Sequence, residues 1–114
     1  MELLYLPIDR DGIEYRPDVL GISVDGLMLI FRTAYNPVAE AFFCDIMTRN
    51  YDPILQGKRL VYGGDLLANT HDRRIPSIIS IVPLDPSGGA DQEGITWGNF
   101  MRDVKPYIFV AGDS

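Results

Sequence analysis

The sequence is poor in the residues that most often carry chemistry: its 114 positions include one cysteine, Cys44, and one histidine, His71. A lone cysteine cannot close an intrachain disulfide, which excludes a small disulfide-stapled secreted scaffold and fits folding in a reducing cytoplasm. One Cys and one His also cannot assemble a soft-ligand zinc site within a single chain. No apolar run approaches the ~20 residues that span a bilayer, and the N-terminus lacks a basic segment followed by an apolar stretch. The chain is therefore read as neither exported by a standard signal nor embedded in a membrane. Basic surface is scarce as well. Ten cations stand against sixteen carboxylates, the net charge is −6, and no run of like charge is longer than Arg73-Arg74. Nucleic acid, whose phosphates demand a basic face, is not an expected partner.

What is present describes a folded domain. Apolar residues make up 46% of the chain and charged residues 23%, far from the composition of disordered segments. The length accommodates one core, so residues 1–114 are read as a single domain. Only Lys58 and Lys105 among the ten cations are lysines, a bias toward Arg that suits surfaces meeting other proteins.

Eleven Gly and eight Pro divide the sequence into short apolar runs, the punctuation of strands and turns. Glu2 to Leu6 reads as a first strand ended by Pro7, and Ile13 to Arg16 as a second run. The clearest local signal is a hairpin: Leu20, Ile22 and Val24 alternate up to Asp25-Gly26, a pair suited to a two-residue type I′ turn, and Leu27 begins the return strand. Along that strand Leu27, Leu29, Phe31, Thr33 and Tyr35 share one face. The other face changes from Met28 and Ile30 to Arg32 and Asn36, so the first half reads as buried on both sides and the second on one.

Asn36 to Thr48 supports two readings. Asn36 can cap a helix with Pro37 at its first position, and Val38, Phe42 and Ile46 follow at spacing four. Equally, Phe42, Cys44 and Ile46 lie on one face of a strand that Asn36-Pro37 opens with a turn. Further on come a turn at Asn50 to Pro53, a short strand at Ile54-Leu55, a break at Gly57 and another run at Leu60 to Tyr62. Asp65 to Ala68 reads as a helical turn, Ile75 to Leu84 as a buried strand, and Asp85 to Gly94 as a mobile surface loop. Thr96 is placed to cap a turn holding Phe100 and Met101, and Pro106 to Val110 is the final strand. The fold class read from this is mainly β: a small antiparallel barrel or sandwich of six or seven short strands with one or two short helical turns.

No catalytic, cofactor-binding or metal site is assigned. His71 sits beside Asp72 in one polar loop, whereas a catalytic triad needs groups that converge from separate elements, so a surface histidine is the better reading. Cys44 lies in an apolar run, away from the cations or helix N-terminus that activate a thiolate, and reads as a core residue. The carboxylates and glycines between Asp85 and Glu93 loosely resemble a calcium loop, yet Ala90 stands where an EF-hand needs glycine. Gly63-Gly64 and Gly88-Gly89 lack the Gly-Lys-Ser/Thr ending of a phosphate-cradling loop and read as turn formers. Tyr15, Tyr35, Tyr51, Tyr62, Trp97 and Tyr107 suit either a core or a protein interface.

Read together, several blocks resemble the baseplate plug proteins of contractile-tailed bacteriophages, cyanophage-type. They are Leu3-Leu4-Tyr5-Leu6-Pro7-Ile8, then Phe31-Arg32-Thr33-Ala34-Tyr35-Asn36, then Phe42-Phe43-Cys44-Asp45-Ile46, and above all the stretch from Pro53 through Gly63-Gly64-Asp65 to Leu67. The ending Tyr107-Ile108-Phe109-Val110 fits in order. The chain departs from the pattern at Phe43, near where tryptophan is common, and in its extended 85–94 loop. The resemblance implies a strand rather than a helix within 36–48. It also implies a structural subunit of the virion's tail baseplate, made in the host cytoplasm, with no reaction and no cofactor. The implied partners are the hub, tail tube, spike and wedge proteins, met in multiple copies around a symmetric centre. The competing reading is a stand-alone β-barrel domain binding a peptide or small ligand; a small hydrolase ranks third.

Overall fold

A computed structural model describes residues 4–24, 26–68, 70, 72, 74–75 and 79–110. Its seven strands are β1 (Leu4–Tyr5), β2 (Asp18–Val24), β3 (Leu27–Asn36), β4 (Ala41–Thr48), β5 (Pro53–Arg59), β6 (Ile79–Leu84) and β7 (Lys105–Val110). All pair antiparallel, in one four-stranded sheet of order β2-β3-β4-β5 and one three-stranded sheet of order β1-β7-β6. The mainly β, antiparallel expectation holds. The strands form two open sheets in place of one closed barrel, and the described residues contain no helix. The chain divides into two compact units, residues 7–60 and residues 1–6 with 61–114.

Residues 7–60 form an up-and-down meander. Val24 pairs with Leu27 across the anticipated hairpin turn, where Gly26 takes φ +80°, a conformation open to glycine at no steric cost. Leu29, Phe31 and Thr33 of β3 and Phe42, Cys44 and Ile46 of β4 are buried on one face. Ile30 and Met47, paired across β3 and β4, are buried on the other, while Arg32 is exposed, so β3 is enclosed on both sides only in its first half.

The 36–48 ambiguity resolves to a turn and a strand. Asn36 Oδ1 accepts from the N–H groups of Val38 (2.9 Å) and Ala39 (3.0 Å), and the chain then reverses through Glu40 at φ 52° into β4. Gly57, read as a break, is instead part of a bulge. Between the pairs Cys44–Lys58 and Ile46–Leu55, the two residues Gln56 and Gly57 oppose Asp45 alone, and Asp45 Oδ1 accepts the Gly57 N–H at 2.6 Å. The strand therefore runs on to Arg59. Ile13 to Arg16 forms hydrogen-bonded turns and not a strand, with Ile13 buried.

In the other unit, Ile79, Ile81 and Pro83 of β6 and Pro106 and Ile108 of β7 present one buried face. Pro83 pairs with Pro106, at positions where each ring leaves no ladder donor to satisfy. Leu60 to Tyr62 is not a strand of its own; Leu60 extends the β4–β5 ladder through a 2.9 Å bond from its N–H to the Phe42 carbonyl. The anticipated turns at 65–68 and 96–101 are present as hydrogen-bonded turns.

Candidate interaction surface

The block from Val61 to Ala68 works as a clasp on the outer edge of β6. The Gly63 and Leu66 N–H groups donate to the carbonyls of Pro83 (2.8 Å) and Ile81 (2.7 Å). Asp65 Oδ1 accepts from Ile81 N–H (2.9 Å) and from Leu67 N–H (3.0 Å), so one carboxylate shapes its own turn and satisfies the edge. Gly63 sits at φ +73°, which explains half of the double glycine; a Cβ at Gly64 would meet Val61 at 3.4 Å, an ordinary contact, so nothing in the structure requires glycine there. The most diagnostic stretch of the sequence is thus a packing device.

Asp85 to Gly94, expected from its composition to be a mobile loop, is tied by a dense internal network. Asp85 Oδ1 accepts from Ser87 N–H (2.9 Å) and Ser87 Oγ (2.7 Å), and Oδ2 accepts from Ala90 N–H (3.0 Å). The Ser87 hydroxyl, with these main-chain N–H groups, holds the Asp85 carboxyl below its ordinary range. Tyr62 joins the network by donating to Asp91 Oδ1 and accepting the Asp85 N–H (3.2 Å); the bond to the Asp91 carboxylate raises the phenol's pKa. The loop's carboxylates therefore bind protein donors. Among the described residues no group of three or more His, Cys, Asp or Glu side chains is placed to hold a metal ion.

Thr96 and Asn99 cap each other: Thr96 N–H donates to Asn99 Oδ1 (2.8 Å) and Asn99 N–H to Thr96 Oγ1 (3.1 Å). The Asn99 amide also donates to Glu93 Oε1 and the Gly94 carbonyl, so this buried polar side chain is satisfied. The pair fixes the turn that buries Phe100. Sequence pattern alone singled out Thr96 but not Asn99, since a capping box is usually sought with Glu or Gln at that place.

The remaining candidates do not come together. Cys44 is buried against Thr33, whose hydroxyl donates to its sulfur at 3.7 Å, and burial pushes the thiol up to about 12, leaving it protonated and inert at neutral pH. His71 lies outside the described residues. Its neighbour Asp72 is gripped by Arg74, which donates from Nε (2.9 Å) and Nη2 (2.5 Å) and holds the carboxyl down at about 2. The aromatics divide by role. Tyr107 is buried, Tyr35 packs at a tilt against Phe42 with ring centroids 4.8 Å apart, and Tyr5 lies under the Lys105 ammonium at 4.5 Å. Tyr15 and Tyr51 are exposed, as are Val19, Met28 and Val38. Near β2, Asp9, Asp11, Ile13, Arg16, Pro17 and Asp18 line a small polar cleft.

Two antiparallel sheets, with Asp45, Asp65, Asp85, Thr96 and Asn99 engaged in bulges, turns, caps and strand edges, define a small mainly β protein. No curated protein matches the chain. A family model described as cyanophage baseplate Pam3 plug gp18 matches residues 3–111, nearly the whole sequence, and the chain belongs to this family. Its role is structural, in the baseplate of a phage tail and among other baseplate proteins; membership in such a family points to a non-enzymatic subunit.

Proposed function

We propose that this subunit sits in the inner core of a contractile tail baseplate, made in the host cytoplasm and then joining tail tube, hub and spike with contacts to the wedge, in several copies around the tail axis. The observation that carries the reading is the family match over residues 3–111; the stretch from Pro53 to Leu67, which the sequence reading singles out, serves as an edge strand and clasp. Acidic side chains that could carry chemistry support it by being committed to structure: Asp85 to its own loop and Asp72 to Arg74, while Asp65 of the family-like block is engaged at β6. The subunit catalyses no reaction and takes no cofactor. Residues 1–114 are taken as one domain, a reading supported by one unit's drawing on both ends of the chain while the other's sequence lies between them. The competing reading, a stand-alone β-barrel domain binding a peptide or small ligand, is less well supported, since the strands form two open sheets and not a closed barrel.

Cross-linking mass spectrometry on purified tails tests the proposal. Links from this chain to hub and tube proteins are expected. Its absence from purified tails, or links confined to the outer baseplate, would overturn it.

A further inference from the structure

Four strand edges terminate the two sheets, and three of them are blunted. The outer edge of β6 is covered by the Gly63 to Leu66 clasp. β5 begins with Pro53, carries register shifts on both sides of Ile46 and ends in Lys58-Arg59, all devices that discourage further pairing. β1 offers two described residues. β2 differs from all of these: it is seven residues long, unbulged in its pairing from Asp18–Thr33 to Val24–Leu27, and free of Lys, Arg and Pro.

The direction of its free groups follows from the ladder. Val24 and Leu27 close a two-residue turn, so they and every second pair exchange main-chain bonds, and the N–H and C=O of Val19, Gly21 and Ser23 point away from β3. The same phase, carried across the sheet, turns Phe42 and Thr48 toward β5, where the Phe42 carbonyl meets Leu60 N–H and Thr48 N–H meets the Asp52 carbonyl. Val19, Gly21 and Ser23 are exposed, and among the described residues no main-chain partner occupies their outer side.

The N-terminal end of this edge is acidic. Asp18 opens β2 beside Asp9 and Asp11 in the polar cleft, and Asp18 Oδ2 is buried without a hydrogen-bond partner. Arg16 lines the same cleft, without an ion pair to these carboxylates. A strand laid along β2 would continue the sheet with apolar side chains beside Leu20 and Ile22, and a cation at its end would answer the orphaned carboxylate. A second copy of β2 brings no cation, since the strand holds neither Lys nor Arg.

We infer that the β2 edge is a docking site for an extended segment of another baseplate protein, a neutral strand of alternating apolar residues with a Lys or Arg lying over the Asp9, Asp11 and Asp18 end. The inference rests on the structural role proposed above and specifies one of its contacts.

Amide hydrogen exchange on the full chain, free and within purified tails, tests it. In the free subunit the Val19, Gly21 and Ser23 amides should exchange rapidly at any protein concentration, and in tails they should slow by at least about a hundredfold. Ser23→Pro removes only an outward donor, so the variant should keep the wild-type melting temperature to within a few degrees yet incorporate at least about tenfold less well. Asp11→Lys should likewise fold and lose incorporation, more so at low salt. A subunit present in tails with unprotected β2 amides would overturn this inference while leaving the proposed function standing; a subunit absent from tails would remove both. Protection that grows with concentration in the free subunit would name a second copy as the occupant and overturn the assignment to another protein.

Discussion

Asp65 Oδ1 accepts the main-chain N–H of Ile81 at 2.9 Å from sixteen residues away, while holding the Leu67 N–H at 3.0 Å. One side chain thereby meets the Ile81 donor on the outer edge of β6, whose Ile81 and Pro83 carbonyls are met by the main chain of Leu66 and Gly63. Asp65→Ala should cost about 1.5–3 kcal/mol, the range for a hydrogen bond to a charged group, and Asp65→Asn, which keeps an acceptor oxygen, should recover much of the loss. Urea unfolding of both variants decides; a cost below about 0.5 kcal/mol for Asp65→Ala would show that the clasp is held by its main-chain bonds alone.

Phe31 is fully buried at the centre of β3, opposite Leu20 and Ile46. Phe31→Ala should destabilise the protein by about 3–5 kcal/mol, a large share of the stability of a domain this size. Val38→Ala, at the exposed tip of the β3–β4 turn, should stay within about 0.5 kcal/mol of wild type in the same unfolding assay.

The Cys44 thiol, pushed up to about 12 by burial, is withheld both by access and by protonation. A thiol-disulfide reagent at pH 7.5 should label it only as fast as the protein opens, so that urea accelerates labelling in step with unfolding. Rapid stoichiometric labelling of the native protein would contradict the burial.

Asp18 has its carboxyl pKa raised, first by desolvation, against a lowering bond from the Asp9 main chain, and then by the Asp9 charge. A group whose folded pKa lies above its unfolded value favours the folded state most when protonated, and that favour is lost as pH rises through the folded pKa. Asp18→Asn should therefore melt at a higher temperature than wild type at pH 7, with the difference shrinking as pH falls through the raised folded-state pKa and gone once pH is below the ordinary Asp value of about 3.9. Differential scanning calorimetry across this range checks both sign and window.

Trp97 is the single tryptophan and lies in the unit built from both chain ends, whereas residues 7–60 contain none. If the two units fold as one domain, Trp97 fluorescence and far-ultraviolet circular dichroism will report the same unfolding midpoint. Two separated transitions would divide the chain into two domains.

The β2–β3 hairpin was legible because period-two apolar residues and Asp25-Gly26 agree with each other. The 36–48 stretch was not, for a local reason. Asn36 accepts the same N–H bonds whether it caps a helix or opens a turn, and Val38, Phe42 and Ile46 satisfy both periods. What selects the strand is the eight-pair ladder between β3 and β4, which no window of β4 contains. Gly57 misled in the same way: a glycine at positive φ ends a strand or bulges it, and the Asp45 carboxylate that stabilises the bulge lies across the sheet. The edge function of Asp65 and the open edge of β2 were invisible for a different reason, since an edge is a property of strand order and not of any one segment.

β1 and β7 join positions roughly a hundred residues apart, with Leu4 opposite Ile108. β1 therefore cannot be matched until β7 has been made, while the 7–60 meander, with its short-range hairpins, can already close. The three-stranded sheet thus cannot close before β7 is made, and a chain released before β7 would leave β1 and β6 without the element that lies between them.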